Sequence, residues 1–447
     1  MAQHQRLKTS SDAPLLPAPS EHLFLDDRMR GVPPGILGLD SRLVASQRWH
    51  PARGTMSLPV LTLDEAAFLG NRDLMMAYVR DHGVDIAPHA KTPMSPDLAR
   101  NLVEAGAWAT TVADIRQASV MARAGLTRLV LANEVGGAGG ANRLAAFMTV
   151  HPEVDIYVFA DSPAAVASLA GAWHAAPGLK PLAVLVEAGA GRAGTRTLAE
   201  AEAVAAAIMA SNGRLRLGGV GAYEGNSIQA EPQMTDLVMG DLIGRTGELF
   251  RRIRGMTGAD TELILTAGGS LYFDRIVGAL APIVHQDGRA RLLLRGGAIF
   301  FSDHGICNRF LANLDVRNGF SLGGQVIPAA SSFIPALRLW AEVLSCPEPG
   351  LAICGLGMRD VSFDQGFPVM LGLHRQGHPL PAPALQPVVT RLNDQHCFLS
   401  VDASTDIIVG DVAEFGVTHA CTTMDRHRIV FGVAKDGHVA HVFPTCF

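Results

Sequence analysis

The stretch Asp85-Ile86-Ala87-Pro88-His89-Ala90-Lys91-Thr92 decides how the chain is read. An apolar, strand-like run ends in a lysine, and a proline and a segment of helical periodicity follow. Loops of this kind, between a strand and a helix, are where function concentrates. The chain holds only four lysines: Lys8, Lys91, Lys180 and Lys435. Lys8 lies in a polar tail, Lys180 in a loop after a glycine, and Lys435 beside the turn signal Asp436-Gly437. Lys91 alone stands where a strand delivers its last side chain into a site. A desolvated lysine loses its proton easily and can form a Schiff base with a carbonyl. The competing reading is a surface lysine at a strand end.

Outward from Lys91 the pattern repeats. Eight short β-rich runs follow one another: 85–90, 108–112, 128–133, 155–160, 182–188, 217–223, 262–267 and 291–295. Helical periodicity fills the gaps at 96–105, 114–124, 141–151, 163–175, 198–211 and 236–253, with Asp114, Ser162 and Thr197 as N-caps. Alternating strands and helices predict a parallel sheet. Eight such units in about 240 residues predict an α/β fold built on a closed (β/α)8 barrel. An open doubly wound sheet is the alternative, but the usual GxGxxG after its first strand is missing.

After about residue 300 glycines, prolines and β-branched alternation dominate and long helices vanish, which predicts a separate, mostly β domain. The expected organisation is an N-terminal arm (1–57) packing on the β domain, a barrel (58–300) and the β domain (301–447). The 447 residues are 48% hydrophobic and 18% charged, so a large core is expected, and a net charge of -5 without a basic patch argues against nucleic acid. The N-terminal residues lack a signal-peptide apolar core, and no run of about 18 apolar residues predicts a membrane span. A cytoplasmic protein is expected. The six cysteines form no CxxC pair and no disulfide spacing.

Active-site residues of such barrels sit at the C-terminal ends of strands. Those positions hold Lys91, Asn133, Glu134, Arg192 within a glycine-rich loop, Tyr223, and Thr266-Ala267-Gly268-Gly269-Ser270. Gly268 and Gly269 let backbone N–H groups approach an anion, and Ser270 can open the next helix; the loop after strand 7 favours phosphate. A Schiff-base lysine and a phosphate cradle together suggest pyridoxal phosphate. Arg192 then lies near the cofactor ring oxygen or the substrate carboxylate, or else is a surface arginine. In Val417-Thr418-His419-Ala420-Cys421-Thr422-Thr423, a strand would project His419 and Cys421 to one face. That nitrogen and sulfur pair suits zinc, although in isolation the reading as a buried cysteine beside a hydrogen-bonded histidine wins, because His-x-Cys is common by chance. His396 and Cys397 would face opposite ways, which marks His396 as structural.

Pro88-His89-Ala90-Lys91-Thr92, Gly191-Arg192-Ala193-Gly194, Ala222-Tyr223-Glu224-Gly225, Thr266 to Ser270 and His419-Ala420-Cys421-Thr422-Thr423 occur in that order. Over residues 58–433 the chain resembles the D-serine dehydratase and D-threonine aldolase family of alanine-racemase-like (fold-type III) pyridoxal phosphate enzymes. The resemblance implies a barrel plus a β domain, usually as a homodimer. It implies Lys91 as the cofactor-linked lysine, Tyr223, Gly268, Gly269 and Ser270 on the phosphate side, Arg192 near the cofactor, and His419 and Cys421 on a divalent metal, zinc ahead of manganese or magnesium. The chain departs from relatives that carry tyrosines where it has Phe300 and Phe301. The implied activity is dehydration of a D-configured β-hydroxy amino acid such as D-serine or D-threonine to a 2-oxo acid and ammonia. Retro-aldol cleavage to glycine and an aldehyde is the alternative, with His-x-Cys favouring the dehydratase. A pyridoxal phosphate-binding protein without turnover is the alternative from another class.

Overall fold

The computed structural model describes residues 15–20 and 23–447. Residues 1–14 and 21–22 of the expected arm, Lys8 among them, lie outside the described residues. The barrel strands are β1 Asp85–Ile86, β2 Thr110–Val112, β3 Arg128–Glu134, β4 Asp155–Ala160, β5 Leu182–Ala188, β6 Leu215–Ala222, β7 Leu263–Thr266 and β8 Ala290–Leu294. The helices that follow them are α1 Pro96–Glu104, α2 Ile115–Arg123, α3 Gly137–Val150, α4 Pro163–Ala175, α5 Leu198–Met209, α6 Pro232–Met256, α7 Phe273–Asp287 and α8 Ile306–Val316. Asp114, Ser162 and Thr197 cap α2, α4 and α5 as expected, Thr197 through a capping box with Glu200.

The sheet runs β1-β8-β7-β6-β5-β4-β3-β2, all parallel. It closes beyond β1, where His89 bridges Thr111 and Trp108 N–H donates to Ile86 O at 2.8 Å. Alternate residues fill the interior, among them Ala87, Val130, Phe159, Leu185, Ile264 and Leu293. Gly221 admits the Phe159 ring, since a Cβ there would stand 2.7 Å from Phe159 Cζ. The 11-residue α8 helix qualifies the expectation that long helices vanish after residue 300. Buried Asp303 starts it, accepting from Gly305 N–H and Cys307 N–H at 2.9 Å each.

The C-terminal sheet comprises β9 Leu337–Glu348, β10 Leu351–Cys354, β11 Val369–Arg375, β12 Val388–Leu392, β13 Cys397–Ser400, β14 Val412–Gly416, β15 Ile429–Val433 and β16 Val439–Pro444. Strand Val60–Asp64, just before the first barrel repeat, belongs here: it pairs antiparallel with β9 and parallel with β15. The described arm residues Leu25, Val32, Val44 and Trp49 bury against Trp340, Phe431 and Val442 of this sheet. Among the described residues no helix is long and apolar enough to cross a membrane.

Candidate active site

At the C-terminal end of the barrel a cavity of ≈ 160 Å³ is lined by residues from both domains, including His89, Lys91, Thr92, Tyr223, Gly269, Ser270, Arg295, Cys307, His419 and Cys421. Six of the eight residues singled out from the sequence therefore share one cavity. Lys91 is exposed at its rim, so the desolvation expected at the strand end is not supplied by protein atoms. Its backbone N–H donates to His89 Nδ1 at 3.4 Å. Burial, reinforced by the charges of Lys91 and Arg295, holds the His89 imidazole well below its ordinary value.

The loop after β7 departs from expectation. Gly268 has φ +87°, a conformation suited to glycine. The N–H groups of Gly268 and Gly269 do not face the cavity as anion donors: Glu224, 1% exposed, accepts both, at 3.0 and 2.6 Å. The two glycines thus fasten the loop to the turn after β6. Ser270 does not cap α7, whose N-cap is Tyr272. Ser270 Oγ instead accepts from Ile299 N–H at 3.2 Å and keeps its own O–H to donate. Tyr223 lines the same wall, and burial, then the Glu224 charge, raises its phenol.

Arg192 lies outside the cavity lining, with its guanidinium 5.1 Å from the Tyr223 ring centroid and Nη2 3.9 Å from Glu187 Oε1. Arg295, buried at the exit of β8, donates to Thr266 Oγ1 and Ala222 O at 2.6 Å each and so ties three strand ends together.

His419 and Cys421 share the cavity, but not through a strand. β14 ends at Gly416; His419 is the extended N-cap of a one-turn helix, α9 Ala420–Met424, and Cys421 lies in its first turn. Buried Asp303 reaches both helix starts, accepting from Ala420 N–H at 3.5 Å as well as from α8. Thr92, next to Lys91, hydrogen-bonds Cys421 Sγ at 3.1 Å and joins the two domains. His419 Nδ1 donates to Asp364 Oδ2 at 2.8 Å. Burial lowers His419, but hydrogen bonds from Cys421 and Asp364 outweigh it and hold the imidazole at about 9. Burial likewise opposes, and Ser362 and His419 overcome, the shift that takes Asp364 down to about 2. Among the described residues no group of three or more His, Cys, Asp or Glu side chains is arranged for a metal ion. The chain offers the pair His419 and Cys421, and the Asp364 contact engages His419 through Nδ1 rather than Nε2. His396, just before β13, is exposed, and Cys397, its first residue, is buried.

Sequence reasoning missed Glu224, Arg295 and Asp364. Glu224 and Arg295 stood at strand ends beside residues that were chosen, and that position was the available signal. Asp364 had none, because only folding brings it to His419.

Residues 336–433 match the family described as "Putative serine dehydratase domain". The chain is 28% identical over 397 residues to a 3-hydroxy-D-aspartate aldolase of Paracoccus denitrificans, covering 87% of this chain and 91% of that protein. A D-threonine aldolase structure from Filomicrobium marinum matches with TM-score 0.67 and 24% identity over 88% of this chain and 95% of that one. A D-threo-3-hydroxyaspartate dehydratase, a cysteine-to-alanine mutant in the metal-free form, matches with TM-score 0.66 and 22% identity over 88% of this chain and 98% of that one. The fold, a parallel eight-stranded barrel joined to a C-terminal sheet domain, is that of the alanine-racemase-like proteins. Within that class, residues 336–433 match the serine dehydratase domain, and most of the chain is similar to a D-threonine aldolase and a 3-hydroxy-D-aspartate aldolase.

Proposed function

We propose that this chain is a pyridoxal phosphate- and metal-dependent lyase that dehydrates D-configured β-hydroxy amino acids to 2-oxo acids and ammonia, and that it works as a homodimer. The observation that carries this reading is the convergence of Lys91 with His419 and Cys421 on one cavity. The residues fit the cofactor: an amine at the rim, and the Ser270 hydroxyl and Tyr223 phenol on the opposite loops. With the Gly268 and Gly269 N–H groups committed to Glu224, the phosphate end falls to Ser270, Tyr223 and the neighbouring turn Gly296 to Ala298. When bound, pyridoxal phosphate supplies an electrophilic carbonyl for the substrate amine and an electron sink for the pair left at Cα. A divalent cation, zinc by the softness of the thiolate, supplies Lewis acidity to the β-hydroxyl.

The chain's own groups do the rest. Lys91 Nζ takes the Cα proton. Asp364 orients the His419 ring, and Thr92 fixes Cys421 Sγ. Arg192, over the Tyr223 ring just outside the cavity lining, would supply a cation for the ring oxygen or the substrate carboxylate by reaching past that ring. Two protein ligands leave metal positions open to water and substrate. Exposed Phe363 and Phe367, in the segment that carries Asp364, support a second copy at this rim.

Retro-aldol cleavage is the second reading, favoured by the aldolase names of two relatives. A metal-free form of a cysteine-substituted dehydratase supports the first, since Cys421 is half of the pair here. Product analysis with D-threonine, on protein loaded with pyridoxal phosphate and zinc, separates them. 2-Oxobutanoate and ammonia are expected; glycine and acetaldehyde would replace dehydration with cleavage. No turnover of D-threonine, D-serine or 3-hydroxy-D-aspartate would leave a binding protein.

A further inference from the structure

A second cavity, of ≈ 510 Å³, opens where the arm meets the last strands of the C-terminal sheet. Four arginines line it: Arg28 and Arg30 from the arm, and Arg426 and Arg428 from the segment between α9 and β15. Three of them have a carboxylate partner. Arg28 Nη2 is 2.6 Å from Asp26 Oδ2, Arg30 Nη1 3.1 Å from Asp360 Oδ1, and Arg426 Nη1 3.0 Å from Asp425 Oδ1. Arg428 is exposed, and among the described residues its guanidinium makes no hydrogen bond or ion pair. The cluster therefore keeps one uncompensated cation. Buried His427 stands among the four, with Nε2 2.8 Å from Asp360 O. Burial and the charges of Arg30 and Arg426 outweigh that hydrogen bond and hold its imidazole at about 4.

Leu23, Met29 and Ile429 give the same cavity an apolar wall. Such a lining asks for a ligand of two parts. Guanidinium forks match phosphate oxygens in pairs, and several converging forks suit a dianionic phosphate better than a single carboxylate. The volume lies in the range of small-molecule sites, about 300–1,000 Å³, so an inorganic ion would leave most of the cavity unfilled. The apolar wall takes an apolar body, and arginine stacks well on a planar one. The cavity also reaches toward the active site. Arg426 donates to Met358 O at 3.1 Å and to the carbonyl of Thr422, the residue after Cys421. Thr422 Oγ1 lies 3.0 Å from Oδ1 of Asp364, whose Oδ2 receives His419 Nδ1.

We propose that this cavity binds a phosphorylated small molecule with a planar apolar body, of the mononucleotide kind, with its phosphate on Arg428 and its body against Met29 and Ile429. Through Arg426 and Thr422 its binding is felt at His419 and Cys421. That consequence rests on the function proposed above; the binding itself does not.

Isothermal titration calorimetry of the full chain tests the site, with pyridoxal phosphate and zinc saturating so that the active-site cavity is closed to other phosphates. AMP is expected to bind, with adenosine and inorganic phosphate each at least about tenfold weaker, since each lacks one half of the ligand. Arg428→Ala leaves no carboxylate unpaired, so the fold is kept, and it should weaken AMP about tenfold by removing a charge-assisted partner. Absence of AMP binding, inorganic phosphate as tight as AMP, or an unchanged AMP affinity in Arg428→Ala overturns the proposal. Zinc competition with a chromophoric chelator tests the coupling. Saturating AMP should shift the zinc affinity of the wild type by about fivefold and leave that of Arg428→Glu unmoved. A wild-type zinc affinity that ignores AMP overturns the coupling. A wild type that binds no pyridoxal phosphate refutes the proposed function, and AMP titration of the unloaded wild type and Arg428→Ala then decides the site.

Discussion

Replacing Glu224 by glutamine isolates what one buried carboxylate does for the loop beneath the proposed cofactor site. Glu224 is 1% exposed and receives the N–H groups of Gly268 and Gly269 at 3.0 and 2.6 Å. Glutamine keeps the shape but offers one acceptor oxygen, and turns an NH2 group toward the second N–H. Losing one hydrogen bond to a charged acceptor costs about 1.5–3 kcal/mol, and leaving a buried donor unpaired costs about 1–3 kcal/mol more. Removing a buried charge returns part of this, so a net loss of about 2–4 kcal/mol is expected. Urea unfolding of Glu224→Gln measures that loss. Hydrogen exchange locates it, with faster exchange expected across residues 265–272. Pyridoxal phosphate affinity should fall as well, because Ser270 follows the freed glycines. A variant as stable as the wild type, with unchanged exchange at Gly268 and Gly269, would refute the reasoning.

Three further outcomes follow from the same structure. Asp364→Asn, which weakens the grip on His419 Nδ1, should lower zinc affinity about 10- to 100-fold in competition with a chromophoric chelator; unchanged affinity would remove Asp364 from the metal site. His50, His304 and His427 are each held near about 4 by burial, against an ordinary 6.5. Between those values the unfolded chain binds more protons than the folded one, so stability falls as pH drops from about 6.5 to 4, and a flat melting temperature across that window would contradict it. Thr92→Val removes the hydroxyl 3.1 Å from Cys421 Sγ without changing side-chain volume much; zinc affinity should drop about tenfold, read by the same competition, while loss of the fold by circular dichroism would mark the contact as structural.

The barrel was readable because its physics is local. Runs such as Asp155–Ala160 and Leu182–Ala188 are continuous apolar strands whose ends coincide with turn signals, and the caps Asp114, Ser162 and Thr197 announce their helices. The topology then carries Lys91, Tyr223 and Ser270 to one end without any knowledge of contacts. What escaped depends on pairing across the fold. Nothing near Gly268 in sequence says that Glu224 takes its N–H, and nothing near His419 names Asp364. The pair His419 and Cys421 was placed on a strand because alternation suits either state over so short a run; the chain turns into α9 there, where Asp303 fixes the first N–H. Val60–Asp64 carries the apolar signature of a barrel strand, yet pairs with β9 and β15, a choice made by tertiary partners rather than propensity.

The most direct measurement is borohydride reduction of the protein loaded with pyridoxal phosphate, followed by tryptic peptide mapping. With only four lysines in the chain, the result is unambiguous. A pyridoxyl group on Lys91, in a peptide spanning residues 81–100 because cleavage at the modified lysine is blocked, is the predicted result. Label on Lys8, Lys180 or Lys435, or on no lysine at all, would contradict the assignment of this cavity as the active site.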